Sequence, residues 1–129
     1  MEQRIIKFKA KRLDNGEWLE GDLLHKGIRV FIYHPYINDK GFLIENVEVD
    51  PSTVCQFTGL KDCEGKEIWE GDIVRDNYDL LCVDNFYEVV YIEEEGAFAF
   101  KSLDKVDNYE PFVNLFEAYV VGNKFDKEK

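Results

Sequence analysis

Residues 54–74 read VCQFTGLKDCEGKEIWEGDIV, and the reading of the fold turns on this stretch. It is turn chemistry set between two short apolar runs. The first run, Val54 to Phe57, is too short to make a helix of any length. Thr58 and Gly59 break it, and Asp62 to Lys66 supply a hairpin loop. Ile73-Val74 then opens a strand.

Just upstream, Asp50-Pro51-Ser52-Thr53 starts a helical turn, with Asp50 as N-cap and Pro51 at the first position. Nearer the start, Ile6-Lys7-Phe8-Lys9-Ala10 alternates apolar and basic residues, the pattern of a strand with one buried face. Its basic side chains are Arg4, Lys7, Lys9, Lys11 and Arg12. Asp14-Asn15-Gly16 is a turn, because Asn-Gly readily takes positive φ, so Trp18 to Leu24 becomes the second arm of a hairpin. Ile28 to Tyr33 reads as a third strand, and the Asn38 to Gly41 turn leads to Phe42 to Ile44. Downstream, Leu80 to Val83 and Phe86 to Ile92 read as strands across Asp84-Asn85. Gly96 and Ala97 to Phe100 follow. Val113 to Val121 stays open between a short helix and a strand, and Asp126 to Lys129 form a polar tail that frays.

The chain has 129 residues, of which 45% are hydrophobic and 33% charged, enough to bury roughly two-thirds of its unfolded surface without staples. One domain over 1–129 fits this length, with two β-rich lobes, about 1–50 and 51–129, as the alternative. Cys55, Cys63 and Cys82 are odd in number and show no CxxC spacing, so free thiols in a cytoplasmic setting are expected. No charged-then-apolar leader is seen, and no apolar run is long enough to span a bilayer. The net charge of −11 is uneven: residues 1–50 hold 8 Lys/Arg against 9 Asp/Glu, and residues 51–129 hold 8 against 18. Direct grip on a phosphate backbone needs the opposite sign. An acidic surface suits basic partners or plain solubility.

Glu17-Trp18-Leu19-Glu20-Gly21-Asp22-Leu23-Leu24 is echoed by Glu67-Ile68-Trp69-Glu70-Gly71-Asp72-Ile73-Val74. The echo marks either two related β-lobes or one turn type used twice. Each copy reads as a corner: Gly permits a strained backbone, Asp accepts main-chain N–H groups, and the aliphatics begin a strand. Trp18, Gly21, Asp22, Trp69, Glu70, Gly71 and Asp72 are therefore the candidate turn or interaction residues. The rival reading gathers Glu20, Asp22, Glu70 and Asp72 around Mg²⁺ or Ca²⁺, without EF-hand spacing. The tryptophans are core or half-buried anchors, or else hot spots for a partner. Tyr33, Tyr36 and Phe42 flank a loop, placed to stack on a base or to pack over the core. His25 and His34 have no cysteine at ligand spacing, and no nucleotide-binding or hydrolase motif is present.

Several separated pieces are similar to one family. They are Ile6 to Ala10, Trp18, Gly21-Asp22-Leu23, Val49 to Val54, Gln56 to Asp62, Gly65 to Ile68, Glu70 to Val74, and Val120-Val121-Gly122-Asn123. Together they resemble the YopX-like proteins of bacteriophages and prophages. Cys55 and Cys63 depart from the family pattern, and the segment between Asp76 and Glu117 matches poorly. The resemblance implies a phage or prophage gene expressed inside a bacterium, and it carries no catalytic residues onto this sequence.

The combined expectation is a mainly β protein with few short helices. A small SH3-like barrel should form from about Gly71 onward, and the N-terminal part should pack against it as extra strands. The expected function is a non-enzymatic binding module in the cytoplasm of a bacterial host, with no cofactor and no membrane contact. Its partner is a macromolecule, protein rather than nucleic acid, and open strand edges make a homo-oligomer feasible. Two alternatives stand beside it: an acidic nucleic-acid mimic that occupies a DNA-binding protein, and a metal-dependent hydrolase using the Glu-Gly-Asp carboxylates.

Overall fold

A computed structural model describes residues 4–76, 85–103, 109–110 and 118–126. Among these the protein is mainly β: eleven strands, one single-turn 3-10 helix and no α-helix. The chain divides into two compact units, Met1–Phe57 and Thr58–Lys129.

The first unit is an antiparallel meander of β1 (Phe8–Lys11), β2 (Trp18–Lys26), β3 (Arg29–Ile37) and β4 (Leu43–Val49). Gly16, at φ 73°, closes the β1–β2 turn, where Asn15 Oδ1 accepts the Glu17 N–H at 2.9 Å. Alternation puts Phe8 and Ala10, Leu19 and Leu23, Val30 and Ile32, and Val49 on one shared core. The end of β4 then returns to the end of β1. Arg12 bridges Val49, Asp50 N–H donates to Lys11 O at 2.8 Å, and Leu13 N–H donates to Glu48 O at 3.2 Å. Closing the meander leaves fewer unpaired edge groups than an open sheet.

The edge of β1 is handed from β4 to the next strand by the Asp50–Val54 corner. Asp50 caps the 3-10 turn Pro51–Thr53 by accepting the Ser52 N–H at 3.0 Å. Buried Thr53 donates to Asp50 O and accepts from Lys11 N–H through the same hydroxyl, at 2.7 and 2.9 Å. β5 (Cys55–Lys61) then pairs its first residues with Phe8 and Lys9.

The second unit takes up the rest of β5. Thr58 Oγ1 donates to Ile68 O, at 2.7 Å, on β6 (Glu67–Trp69). Then come β7 (Asp72–Asp76), β8 (Asn85–Ile92), β9 (Ala97–Ser102), β10 (Tyr109–Glu110) and β11 (Ala118–Asn123). They form a five-stranded antiparallel sheet in the order β10-β9-β8-β7-β11. A four-strand meander whose fifth strand returns beside the first has the strand order of a small SH3-like barrel. It begins one residue past Gly71, and its described ladders leave it open rather than closed. Ile68, Val74, Tyr87, Val89, Phe100, Ala118 and Val120 make its core.

Two sequence readings need correction. Thr58 and Gly59 do not end the apolar run, because β5 continues through them to Lys61 with Gly59 at φ 88°. Gly21-Asp22 is not a corner: both residues lie inside the nine-residue strand β2. The echo is therefore not one turn used twice. The ambiguous Val113 to Val121 segment is strand from Ala118 onward, while its first part, like Leu80 to Val83, lies outside the described residues.

Candidate functional site

Asp62 organises the 54–74 block. Its Oδ1 accepts the N–H groups of Glu64 and Lys66, both at 2.9 Å, and its Oδ2 accepts the Val120 N–H at 2.8 Å. The same loop is closed by Asp62 N–H to Lys66 O at 2.7 Å, and Cys63 N–H reaches Ala118 O at 3.3 Å. A buried carboxylate bonded to main-chain donors on two elements bolts the β5–β6 loop to β11.

The Glu70-Gly71-Asp72 corner lies at the other end of β6. Gly71 takes φ 85°, a region that costs an L-residue roughly 1–2 kcal/mol. Its N–H donates to Val89 O at 2.8 Å, and its carbonyl accepts from Lys124 N–H at 2.9 Å. Asp72, only 2% exposed, accepts the Trp69 N–H on Oδ2 at 2.8 Å and the Asn123 side-chain amide on Oδ1 at 3.0 Å. Asn123 in turn accepts the Phe125 N–H, and its own N–H donates to Asp126 Oδ2, both at 2.9 Å. Both Asp72 oxygens are thus committed inside the fold.

The first copy is built differently. Gly21 faces inward between Leu19 and Leu23, where a Cβ would overlap the Tyr33 carbonyl oxygen and lie 2.8 Å from Ile32 Cγ2. Glycine is needed here because β3 passes close by. The β3 ladder also skips between Tyr33 and Tyr36, where Pro35 has no N–H to donate, and His34 Nδ1–H donates to Glu20 O at 2.7 Å. Asp22 is exposed, and Glu20 lies 3.7 Å from Lys7 Nζ. Trp18 is half-buried, with Lys9 and Lys11 ammonium groups 4.7 and 5.4 Å from its ring centroid, whereas Trp69 is buried. Among the described residues, no three His, Cys, Asp or Glu side chains come together as metal ligands. Nor is any described helix long and apolar enough to cross a membrane.

A different kind of surface sits at the β3–β4 turn. Asn38 pins it: its Oδ1 accepts Lys40 N–H at 3.0 Å and Phe42 N–H at 2.9 Å, and its own N–H donates to Phe42 O at 2.9 Å. Gly41 takes φ 83° to complete the turn. On this fixed turn Ile37 and Phe42 are each 64% exposed and Leu43 is 56% exposed, with Ile37 directly opposite Leu43.

With this geometry described, comparison with known proteins is informative. The family described as YopX protein matches residues 7–128, nearly the whole chain and both units. The chain belongs to the YopX family. A crystal structure of protein EF1440 from Enterococcus faecalis is similar to it, with 25% identity over 94% of each chain and a TM-score of 0.54. No curated protein matches.

The residues that carry the YopX likeness are mostly framework. Trp69, Glu70, Gly71 and Asp72 come together with Asn123, so the block and the closing Val120 to Asn123 pattern meet in one hydrogen-bond network. Trp18, Gly21 and Asp22 belong to the first unit and share none of that geometry. Sequence reasoning took Phe42 as a loop aromatic but missed Ile37 and Leu43. The available signal was a polar four-residue turn, Asn38 to Gly41, with large apolar residues on both shoulders.

Proposed function

We propose that this YopX chain is a non-enzymatic binding module whose partner is a protein, working as a phage or prophage accessory protein inside the bacterial cell. The observation that supports it is the β3–β4 tip. Three large apolar side chains, Ile37, Phe42 and Leu43, are held out in solvent on a turn fixed by Asn38. Rigid, exposed aromatic and aliphatic anchors are what protein interfaces desolvate at their centres. Near-neutral residues 1–50, with 8 basic against 9 acidic side chains, keep that tip free of strong charge repulsion. The phage setting rests on the family likeness alone.

The test is retention of proteins from the host by tagged full-length chain, compared with Phe42→Ser and with Ile28→Ser, an equally polarising change at the 95% exposed residue of the β2–β3 turn. Loss of one retained protein in Phe42→Ser, with Ile28→Ser unchanged, supports the tip. Equal retention by both variants sinks it. The acidic-mimic reading predicts a different result: a basic partner whose capture falls steeply with salt and ignores Phe42.

A further inference from the structure

β4 is the last strand of its sheet, and only part of its outer edge is covered. The segment after β1 seals the far end: Arg12 bridges Val49, and Leu13 N–H donates to Glu48 O. From Leu43 to Asn46 no strand lies on that side among the described residues, so the main chain there is a half-used ladder. Proteins blunt such edges with Lys, with Pro, or with a bulge in the edge strand itself. Phe42 to Val47 contains neither Lys nor Pro. The irregularity at this level is on β3, where Tyr33 to Tyr36 spans three steps against two from Asn46 to Ile44. The edge is therefore unprotected, and the Asn38 turn already holds it extended, so an added strand needs little reordering of this chain.

Charge narrows the occupant. By alternation Leu43 and Glu45 share one face of β4, and Leu43 stands opposite Ile37, so a strand added there would widen an exposed apolar pair. Glu45 is exposed and has no ion-pair partner among the described residues. Asp39 and Lys40 on the turn offset each other, and Arg12 at the sealed end is paired with Asp14 at 2.8 Å. A second copy of β4 added antiparallel over this stretch would bring two Glu45 carboxylates opposite or next to each other, an unfavourable pairing. A strand with Lys or Arg two residues from an aliphatic side chain satisfies both Leu43 and Glu45.

We infer that β4 takes an extended segment of a protein partner as an added strand along Leu43 to Asn46, with an aliphatic side chain beside Leu43 and a Lys or Arg beside Glu45. This rests on the β3–β4 tip being the contact surface of a binding module, and it names what that surface takes. Main-chain bonds along the edge hold the segment, and the alternate side chains select it.

The experiment is a titration of the isotope-labelled full chain with the peptide Val-Thr-Lys-Thr-Val-Thr-Lys-Thr, read from backbone amide spectra. The amides of Leu43 to Asn46 should shift and saturate, while those of β7 stay in place. Two control peptides should fail: one with Glu for each Lys, and one N-methylated at two consecutive central residues, which can donate from neither edge. Glu45→Lys should weaken the Lys peptide by about fivefold or more and admit the Glu peptide, whereas Ile28→Ser changes neither. Leu43→Ser, also at an exposed position, should weaken the Lys peptide and stands in if Glu45→Lys does not fold. The inference is overturned if no peptide shifts Leu43 to Asn46, if the N-methylated peptide binds as well, or if Glu45→Lys keeps the original preference. A dimer of the chain abolished by Leu43→Lys would overturn it too, by assigning the edge to a second copy. Loss of a retained host protein in Phe42→Ser, with every peptide failing, would keep the tip as the contact surface and remove strand addition alone.

Discussion

Glu20-Gly21-Asp22 and Glu70-Gly71-Asp72 spell the same three residues, and each glycine is required for a different reason. Gly71 sits at a corner and supplies a positive φ of 85° between β6 and β7. Gly21 sits inside β2 and supplies the absence of a Cβ where the β3 backbone passes. The aspartates diverge further. Asp72 is buried and joins Trp69 to Asn123, while Asp22 is exposed. Identical letters can therefore meet unrelated demands, one of dihedral angle and one of interatomic distance.

Substitution should separate these demands, with urea unfolding followed by circular dichroism as the measure. Gly21→Ala carries the largest expected effect. Its methyl meets backbone on one side and a core methyl on the other, so neither can yield cheaply, and a loss of more than about 4 kcal/mol or failure of the first unit to fold is expected. Asp72→Ala comes next, at about 3 kcal/mol, because it removes a buried carboxylate that accepts from both the Trp69 N–H and the Asn123 amide. Asp72→Asn should recover part of this, as it keeps one acceptor. Gly71→Ala must place an L-residue at a φ of 85° and should cost about 1–2 kcal/mol. Asp22→Ala should change stability by less than about 0.5 kcal/mol. A Gly71→Ala loss matching that of Gly21→Ala, or an Asp22→Ala loss matching that of Asp72→Ala, would erase the distinction between the copies.

The local turns were legible because their chemistry is local. Asp50-Pro51 announces a cap and a first position, and Asn15-Gly16 announces a turn; both form as read. A barrel starting near Gly71 was legible because β7 to β9 follow one another as short apolar runs. Gly21 was misread because a glycine chosen for close approach looks the same in one dimension as a glycine chosen for its dihedral. Gly59 misled in the opposite direction, since a positive φ was accommodated within β5 while Thr58 kept its bond to Ile68. The apolar β3–β4 tip escaped because Ile37, Leu43 and Phe42 satisfy a strand pattern whether or not anything covers them. Exposure is a property of the folded surface, and alternation alone does not report it.

The tryptophan environments have a practical consequence for optical work. Each compact unit contains one indole, Trp18 in the first and Trp69 in the second. Trp69 is enclosed and will emit toward the blue, whereas Trp18 is half-open beneath two ammonium groups and will emit toward the red. A single emission spectrum recorded along a melt therefore contains two chromatic channels, one for each half of the chain.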